Sequence, residues 1–196
     1  MEKKRPTIID FVEYYTAQYG DETFLREKVD GVWTETSFNA TREEAHILAA
    51  GFMSMGLEKG DRVALISEGR NYWIFSELGI LYAGAVNVPL SFKLESDMDL
   101  IFRINHSDAR FVVASQTQID KIRRVIGKCP KVEKVIVMDP IELREGEVYI
   151  GEVRSAGQEY LKEHGDLLKE RMESVGPDDY ANISYTSGTT ADPKGI

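Results

Sequence analysis

Several hydroxyl side chains and a lysine stand close together in the segment 185–196, which reads YTSGTTADPKGI. These side chains belong to Thr186, Ser187, Thr189, Thr190 and Lys194. Gly188, in their midst, allows the backbone to turn tightly and to expose its N–H groups. Hydroxyls, free backbone N–H groups and an ammonium are the groups that bind polyphosphate. The segment is therefore a candidate phosphate-binding loop.

Two common phosphate-binding motifs do not match this segment. A Walker A loop ends in Gly-Lys followed by Ser or Thr, whereas Lys194 lies between Pro193 and Gly195. The dinucleotide-binding pattern Gly-x-Gly-x-x-Gly is also absent from the early part of the chain. Short Ser/Thr/Gly runs are typical of solvated turns as well, so residue types alone leave both interpretations open.

The segment resembles the signature Tyr-Thr-Ser-Gly-Thr-Thr-Gly-x-Pro-Lys-Gly of the adenylate-forming enzymes. Its upstream neighbours resemble the same family: WTETSFNATREEAHILAAGFMSMG at 33–56, and the following stretch to residue 113, which contains AGAVNVPL. The resemblance extends over roughly residues 7–196. In its overall residue pattern the sequence resembles the acyl-CoA synthetases among these enzymes. Peptide-synthetase adenylation domains and luciferases belong to the same superfamily.

This resemblance implies an ATP-dependent acid–thiol ligase. In such enzymes a carboxylate attacks the α-phosphorus of ATP, which gives an acyl-adenylate and pyrophosphate, and coenzyme A then takes the acyl group. The resemblance assigns the β- and γ-phosphates of ATP to Thr186, Ser187, Gly188, Thr189, Thr190 and Lys194. Mg²⁺ would share the phosphate charge. The acid itself stays open among fatty acids, acetate, aromatic acids and amino acids.

The sequence departs from the family pattern in two ways. Ala191 replaces a glycine of the signature, which would cost about 1 kcal/mol if that position requires φ > 0. The Tyr-Gly-x-Thr-Glu segment, for adenine and a Mg²⁺ carboxylate ligand, and the ribose-binding Arg-Thr-Gly-Asp segment do not occur. Nor does a C-terminal domain with its adenylation lysine.

The resemblance therefore implies an N-terminal fragment that holds no complete catalytic set and that we expect to be inactive alone. Residues 1–60 would form a helix, a hairpin and a helix that pack partly on a missing second subdomain. Residues 61–196 would form an α/β subdomain that ends in the phosphate loop, with the remainder of the large domain and the C-terminal domain absent. Two other functions remain open: a non-catalytic binding or assembly half, and an ATP-binding module, each acting with a separately encoded remainder.

The elements that would position the loop change in pattern near residue 60. Short runs rich in Val, Ile and Ala alternate with helical stretches; the runs are DRVALIS, AVNVPL, RFVVAS and KVIVMD, and the helices lie at 71–83, 96–105 and 116–127. We further predict a short strand near 148–153, a helix near 158–173 and a strand at 180–186. Continuously apolar strands that alternate with helices indicate a parallel sheet covered on both faces. The predicted fold class is α/β, a mainly parallel β-sheet flanked by helices on both faces, with an N-terminal helix and β-hairpin.

The region before residue 60 shows helix and hairpin signals. Apolar spacing predicts a helix that stops at Gly20, and Asp30-Gly31 predicts a hairpin turn. Thr41 and Glu44 have capping-box spacing and predict the start of a second helix. The apolar side chains of that helix are Leu48, Phe52 and Met53, and we expect them to be left uncovered in a fragment. A homodimer or other self-association is the expected result.

Composition limits the partners and the location. The net charge of −9 argues against a nucleic-acid partner and against docking on an anionic membrane. No stretch is apolar and long enough for a transmembrane segment, and the single cysteine, Cys129, fits a reducing cytoplasm. The histidines are His46, His106 and His164. Their spacing predicts no metal site, and we expect His106 to be a turn residue.

Overall fold

The N-terminal residues form the predicted helix and hairpin. The structure is a computed structural model that describes residues 5–186 and 194–196. Helix α1 (Ile8–Tyr19) begins at a capping box formed by Thr7 and ends at Gly20. Strands β1 (Thr23–Val29) and β2 (Val32–Ser37) pair antiparallel. The turn between them has φ of 49° at Asp30 and 84° at Gly31, a backbone that this dipeptide tolerates.

Helix α2 (Phe38–Ser54) starts three residues earlier than Thr41, where the sequence predicted its first capping residue. Ser37 is the N-cap, and its Oγ accepts a hydrogen bond from Ala40 N at 3.1 Å. Thr41 lies inside the first turn and donates its hydroxyl proton to Ser37 O at 2.8 Å. The capping-box prediction is wrong because Ser37, at the end of β2, caps the helix as the strand turns directly into it.

A five-stranded parallel sheet forms the centre of the fold, as predicted. Its strands are β3 (Arg62–Ile66), β4 (Val86–Leu90), β5 (Ala109–Ala114), β6 (Lys134–Val137) and β7 (Glu147–Tyr149). Their order across the sheet is β4-β3-β5-β6-β7. The central strands β3 and β5 are almost wholly buried, which explains their unbroken apolar sequences. β7 ends at Tyr149 rather than near residue 153, because the next helix begins at once.

Helices cover both faces of the sheet. On one face, α2, α3 (Asn71–Tyr82) and α6 (Ile150–Ser174) share a buried cluster with alternate side chains of the strands. On the other face, α4 (Asp97–His106) and α5 (Ile119–Val125) share a second cluster. This two-sided arrangement confirms the predicted fold class.

Helix α6 corrects two expectations. It runs from Ile150 to Ser174, with a non-helical residue at His164, and is therefore longer than the predicted helix at 158–173. It packs along α2, where Gly51 and Gly157 allow the two backbones to approach closely. Leu48 and Phe52 are wholly buried and Met53 is 9% exposed, so the apolar face of α2 is covered and not open as expected. Within the described residues, no helix is long and apolar enough to cross a membrane.

Candidate functional site

The two ends of the candidate phosphate loop face each other in a short antiparallel pair. Strand β8 (Tyr185–Thr186) pairs with β9 (Lys194–Gly195), and Thr186 lies directly opposite Lys194. Reciprocal backbone hydrogen bonds of 2.8 and 2.9 Å join Ser184 to Ile196 and extend the pairing. Both Thr186 and Lys194 are exposed to solvent. The hydroxyl of Thr186 and the ammonium of Lys194 therefore belong to residues that are paired across the two strands.

The other predicted loop residues lie outside the described part of the chain. They are Ser187, Gly188, Thr189 and Thr190, together with Ala191, which departs from the family signature.

Residues 181–186, which lead into the candidate loop, lie along β4 of the parallel sheet. Asn182 forms a parallel bridge with Asn87 in β4. The amide of Asn87 donates to Ala181 O and the amide of Ile183 donates to Asn87 O, each at 2.9 Å. Since the segment 181–186 runs parallel to β4 with Asn182 beside Asn87, Thr186 lies next to the carboxyl end of that strand. Ligands bind at the carboxyl edge of open α/β sheets. The predicted strand at 180–186 is reduced to this bridge and β8.

The C-terminal end of α4 supports the first residue of β8. The hydroxyl of Tyr185 lies 2.9 Å from His106 Nδ1 and donates to Arg103 O at 3.3 Å. The guanidinium of Arg103 lies 5.7 Å from the centre of the Tyr185 ring. Burial raises the pKa of Tyr185. His106 is the last residue of α4 and not a turn residue, so that expectation is wrong, and the residue contacts the stem of the loop.

A second polar cluster at the carboxyl edge is satisfied internally. Glu68, after β3, accepts hydrogen bonds from Ser115 Oγ at 2.8 Å and Thr117 Oγ1 at 2.6 Å, both after β5. Arg70 and Asp139 form an ion pair of 2.8 Å beside them. These contacts join the residues that follow β3 to those that follow β5 and β6.

A third polar group fastens α1 to the core. The carboxylate of Glu13 accepts hydrogen bonds from Arg42 Nε at 2.8 and 2.9 Å and from the Tyr82 hydroxyl at 2.7 Å. His46 Nε2 lies 3.3 Å from the same carboxylate. Burial alone would raise the pKa of Glu13, but hydrogen bonds from His46, Arg42 and Tyr82 outweigh it and lower the pKa to about 2. His46 therefore has a structural partner.

The described residues contain no group of three or more His, Cys, Asp and Glu side chains that could hold a metal ion. His164 is exposed on α6, and Cys129 is buried and free. The hydroxyl and ammonium at Thr186 and Lys194, by contrast, suit a phosphate group.

Comparison with known proteins places the chain in a family. Residues 12–196 match the model of the AMP-binding enzymes, and the chain belongs to this family. A 4-hydroxybutyrate–CoA ligase of Metallosphaera sedula is 28% identical over 177 residues, which are 88% of this chain and 31% of that protein. A long-chain-fatty-acid–CoA ligase of Mus musculus is 29% identical over 184 residues, 91% of this chain and 25% of that protein.

The fold also matches a solved structure of the same kind. The anthranilate CoA ligase AuaEII, crystallised with anthranoyl-AMP, superposes with a TM-score of 0.78 at 21% identity. The match covers 99% of this chain and 35% of that one. The chain therefore spans about a quarter to a third of the length of these proteins. CoA ligases of the AMP-forming type are thus its relatives.

Sequence reasoning missed a group of polar residues beside the segment that leads into the loop. Glu77, Asn87 and Asn182 meet between α3, β4 and the segment before β8. Their only sequence signal is the presence of polar residues within apolar runs, such as Asn87 in AGAVNVPL. A polar side chain in a buried strand requires a hydrogen-bond partner.

Proposed function

We propose that this chain is the N-terminal part of an ATP-dependent acyl-CoA synthetase. The residues that bind the β- and γ-phosphates of ATP would be Thr186, Ser187, Gly188, Thr189, Thr190 and Lys194. The observation that carries the proposal is the register of Thr186 against Lys194 at the carboxyl edge of the sheet. It occurs in a chain of the AMP-binding enzyme family whose relatives are CoA ligases.

The proposed reaction has two steps. A carboxylate oxygen of the acid attacks the α-phosphorus of ATP, and the bond from that phosphorus to the pyrophosphate oxygen breaks. The thiol of CoA then attacks the acyl carbon, loses its proton and displaces AMP. A hydroxyl at Thr186 and an ammonium at Lys194 would stabilise the negative charge that develops on the leaving pyrophosphate. Mg²⁺, when bound, would neutralise part of the phosphate charge.

The acid substrate is proposed only as a small-molecule carboxylic acid of open chain length. The relatives named above act on 4-hydroxybutyrate, long-chain fatty acids and anthranilate, which share a carboxylate and little else. We infer that the 196 residues bind phosphate but do not complete ligation by themselves. The reason is that no Tyr-Gly-x-Thr-Glu or Arg-Thr-Gly-Asp segment lies within them.

The first experiment measures binding and turnover separately. Calorimetry of the purified chain with Mg·ATP and with inorganic pyrophosphate is expected to detect binding. Lys194→Ala should weaken it about tenfold or more, because a charge-assisted contact is lost. Lys162→Ala is the matched control, since this exposed lysine of α6 pairs only with Glu159 among the described residues.

The turnover arm supplies ATP, CoA and a panel of carboxylic acids and measures AMP release. No AMP is expected from the chain alone. Robust turnover would overturn the inference that it is incomplete, whereas absence of ATP and pyrophosphate binding would overturn the phosphate assignment. Turnover that appears only with a co-expressed downstream polypeptide would support an assembly half. Selective ATP binding with no turnover under any condition would favour an ATP-binding module.

A further inference from the structure

Three polar side chains meet where the segment before the phosphate loop joins the sheet. Asn87 of β4 is wholly buried, and its Nδ2 donates to Glu77 Oε1 of α3 at 3.1 Å. The side chain of Asn182, bridged to Asn87 through the backbone, lies close enough to Glu77 to lower the pKa of its carboxyl. We call these three residues the stem clamp.

The arrangement of the clamp follows from strand geometry. Directly paired residues of neighbouring strands project to the same face of a sheet, so Asn87 and Asn182 both lie on the face that α3 covers. Ile183 and Tyr185 alternate with Asn182 and pack against the opposite cluster, below α4 and α5. The segment is thus fixed from both faces, by polar contacts on one side and by apolar contacts on the other.

The polar contacts are unusual for their surroundings. Asn87 lies between Val86 and Val88 in a buried strand, and its Oδ1 and that of Asn182 are buried without a hydrogen-bond partner. Burial raises the pKa of Glu77, although the hydrogen bond from Asn87 and the nearby side chain of Asn182 oppose this shift. Apolar residues would fill the same space without unpaired buried oxygens, which cost free energy. Buried polar contacts of this kind specify geometry more than they add stability.

We propose that Glu77, Asn87 and Asn182 are positioning residues that fix the register of the segment 181–186 on β4, and thereby the place of the phosphate loop. A slip of one residue would turn Asn182 to the opposite face and move Thr186 by roughly 3.3 Å along the strand. Only the correct register places Asn182 against Glu77. The proposal deepens the proposed function and rests on it, because it concerns the same loop.

Hydrogen exchange provides a direct test, since the amide of Ile183 donates to Asn87 O within the clamped bridge. Asn182→Leu should raise the exchange rate at Ile183 about tenfold, the effect expected for loss of one net hydrogen bond. Exchange in β3 and β5 should stay unchanged. Affinity for inorganic pyrophosphate should fall about three- to tenfold, because the loop is no longer held in one position.

A hydrogen-bond swap separates positioning from a general loss of stability. Asn182→Asp should behave like Asn182→Leu, because it places a second carboxylate beside Glu77. The double variant with Glu77→Gln and Asn182→Asp reverses donor and acceptor, and it should restore slow exchange at Ile183 and pyrophosphate affinity. Asn39→Leu is the control. The side-chain amide of Asn39 donates a hydrogen bond to Asp21, next to the N-terminal hairpin and away from the loop.

The outcomes separate this proposal from the proposed function. Unchanged exchange at Ile183 in Asn182→Leu would overturn the clamp, as would faster exchange with unchanged pyrophosphate affinity. If Asn182→Leu also speeds exchange in β3, the double variant with Glu77→Gln and Asn182→Asp separates the two explanations. Failure of this variant to restore slow exchange at Ile183 overturns the proposal. If the unmodified chain binds neither pyrophosphate nor ATP, the proposed function fails and loop positioning with it. Exchange at Ile183 would then still report whether the clamp holds the strand.

Discussion

Thr186 and Lys194 lie opposite each other in the antiparallel pair β8–β9, so the candidate phosphate loop leaves and re-enters the fold at adjacent positions. The stem is joined further by the Ser184–Ile196 hydrogen bonds and by the contacts of Tyr185 with α4. A fixed stem limits the positions that the hydroxyl and the ammonium can take. Such preorganisation is how fixed groups stabilise developing phosphate charge without further rearrangement.

Removing the hydroxyl of Thr186 should weaken phosphate binding without disturbing the stem. Thr186→Val keeps the β-branched shape that suits a strand but loses the polar group. We expect Mg·ATP affinity to fall about three- to tenfold, as for one lost hydrogen bond to a charged group, and the melting temperature to stay unchanged. Isothermal calorimetry and thermal unfolding measure the two quantities.

Thr34→Val is the control for that substitution. Thr34 is an exposed residue of β2 whose hydroxyl donates to Glu27 O at 3.0 Å, within the N-terminal hairpin. It should leave Mg·ATP affinity unchanged. Equal affinity of Thr186→Val and the unmodified chain would contradict a phosphate contact from Thr186.

Glu13 should contribute stability that depends on acid pH. Its pKa is lowered from 4.5 to about 2, so its contribution is complete above about pH 4.5 and is lost as the pH falls through about 2. Glu13→Ala leaves Arg42 and the buried Tyr82 hydroxyl without their acceptor. We expect a loss of about 2–3 kcal/mol in the free energy of unfolding at neutral pH.

Thermal unfolding at a series of pH values checks this expectation. The difference between the unmodified chain and Glu13→Ala should shrink as the pH falls below about 4.5. Glu22→Ala is the control, since Glu22 is an exposed residue next to α1 and outside this network. A difference that stays constant down to pH 2 would contradict the assignment.

Glu77 should show the opposite pH dependence. Burial raises its pKa, so it contributes most below its ordinary value of 4.5, and stability is lost as the pH rises through the raised pKa. Glu77→Gln keeps the acceptor for Asn87 and removes the buried charge. We expect the variant to melt about 2–4 °C higher at neutral pH, the shift for roughly 1 kcal/mol.

The melting advantage of Glu77→Gln should vanish at pH values below 4.5, where the unmodified side chain is neutral as well. Glu159→Gln, at an exposed position of α6, is expected to have no effect at either pH. A lower melting temperature of Glu77→Gln at neutral pH would mean that the ionised form is the one that the clamp requires.

The features that the sequence predicted correctly are those that local residue patterns encode. The Asp30-Gly31 turn needs only the backbone preferences of two residues, and the parallel sheet follows from apolar runs that alternate with helices. The predicted start of α2 was wrong because Ser37 and Thr41, four residues apart, can both cap a helix. Ser37 is the cap because β2 ends there.

Contacts between distant residues could not be predicted. His106 and Tyr185 are 79 residues apart, and Asn182 meets Glu77 only because α3, β4 and the segment before β8 converge. Arg154 of α6 likewise bonds Glu44 of α2 across 110 residues. No local pattern encodes these pairs, so the part of the candidate site that sequence identified was the loop signature, and its supports were missed.

Self-association should involve α1 and not α2. Half-exposed rings on the surface of α1 and β1 form what we call the aromatic surface; they belong to Phe11, Tyr14, Tyr15, Tyr19 and Phe24. The rings of Phe11 and Tyr15 and those of Tyr15 and Tyr19 stack at 6.5 and 6.0 Å. Contiguous exposed apolar area favours association. Light scattering should therefore detect a mass that rises with protein concentration.

Substitutions on the aromatic surface test this expectation. Phe11→Ser with Tyr15→Ser should lower the mass at a given concentration, whereas Tyr180→Ser should not, since Tyr180 is 80% exposed and lies outside the surface. A monomer at all concentrations would contradict the prediction.

Close contact between α2 and α6 should make Gly157 intolerant of any side chain. A Cβ at Gly157 would overlap the carbonyl oxygen of Ile47 and lie 2.8 Å from Gly51 N, and both are backbone atoms that cannot move aside. Gly157→Ala should therefore force the helices apart and expose Leu48 and Phe52. We expect a loss of about 2–4 kcal/mol in the free energy of unfolding, as for overpacking with partial loss of burial.

Gly165, on the same helix, gives the matched comparison because a Cβ there would meet no atom within 4 Å. Alanine favours a helix over glycine by about 0.5–1 kcal/mol, so Gly165→Ala should be neutral or stabilising. If α6 lies on α2 as described, urea unfolding should show a large loss of stability for Gly157→Ala and no loss for Gly165→Ala. Equal small effects would mean that the two helices do not pack this closely, and the burial of Leu48 and Phe52 would then require another cover.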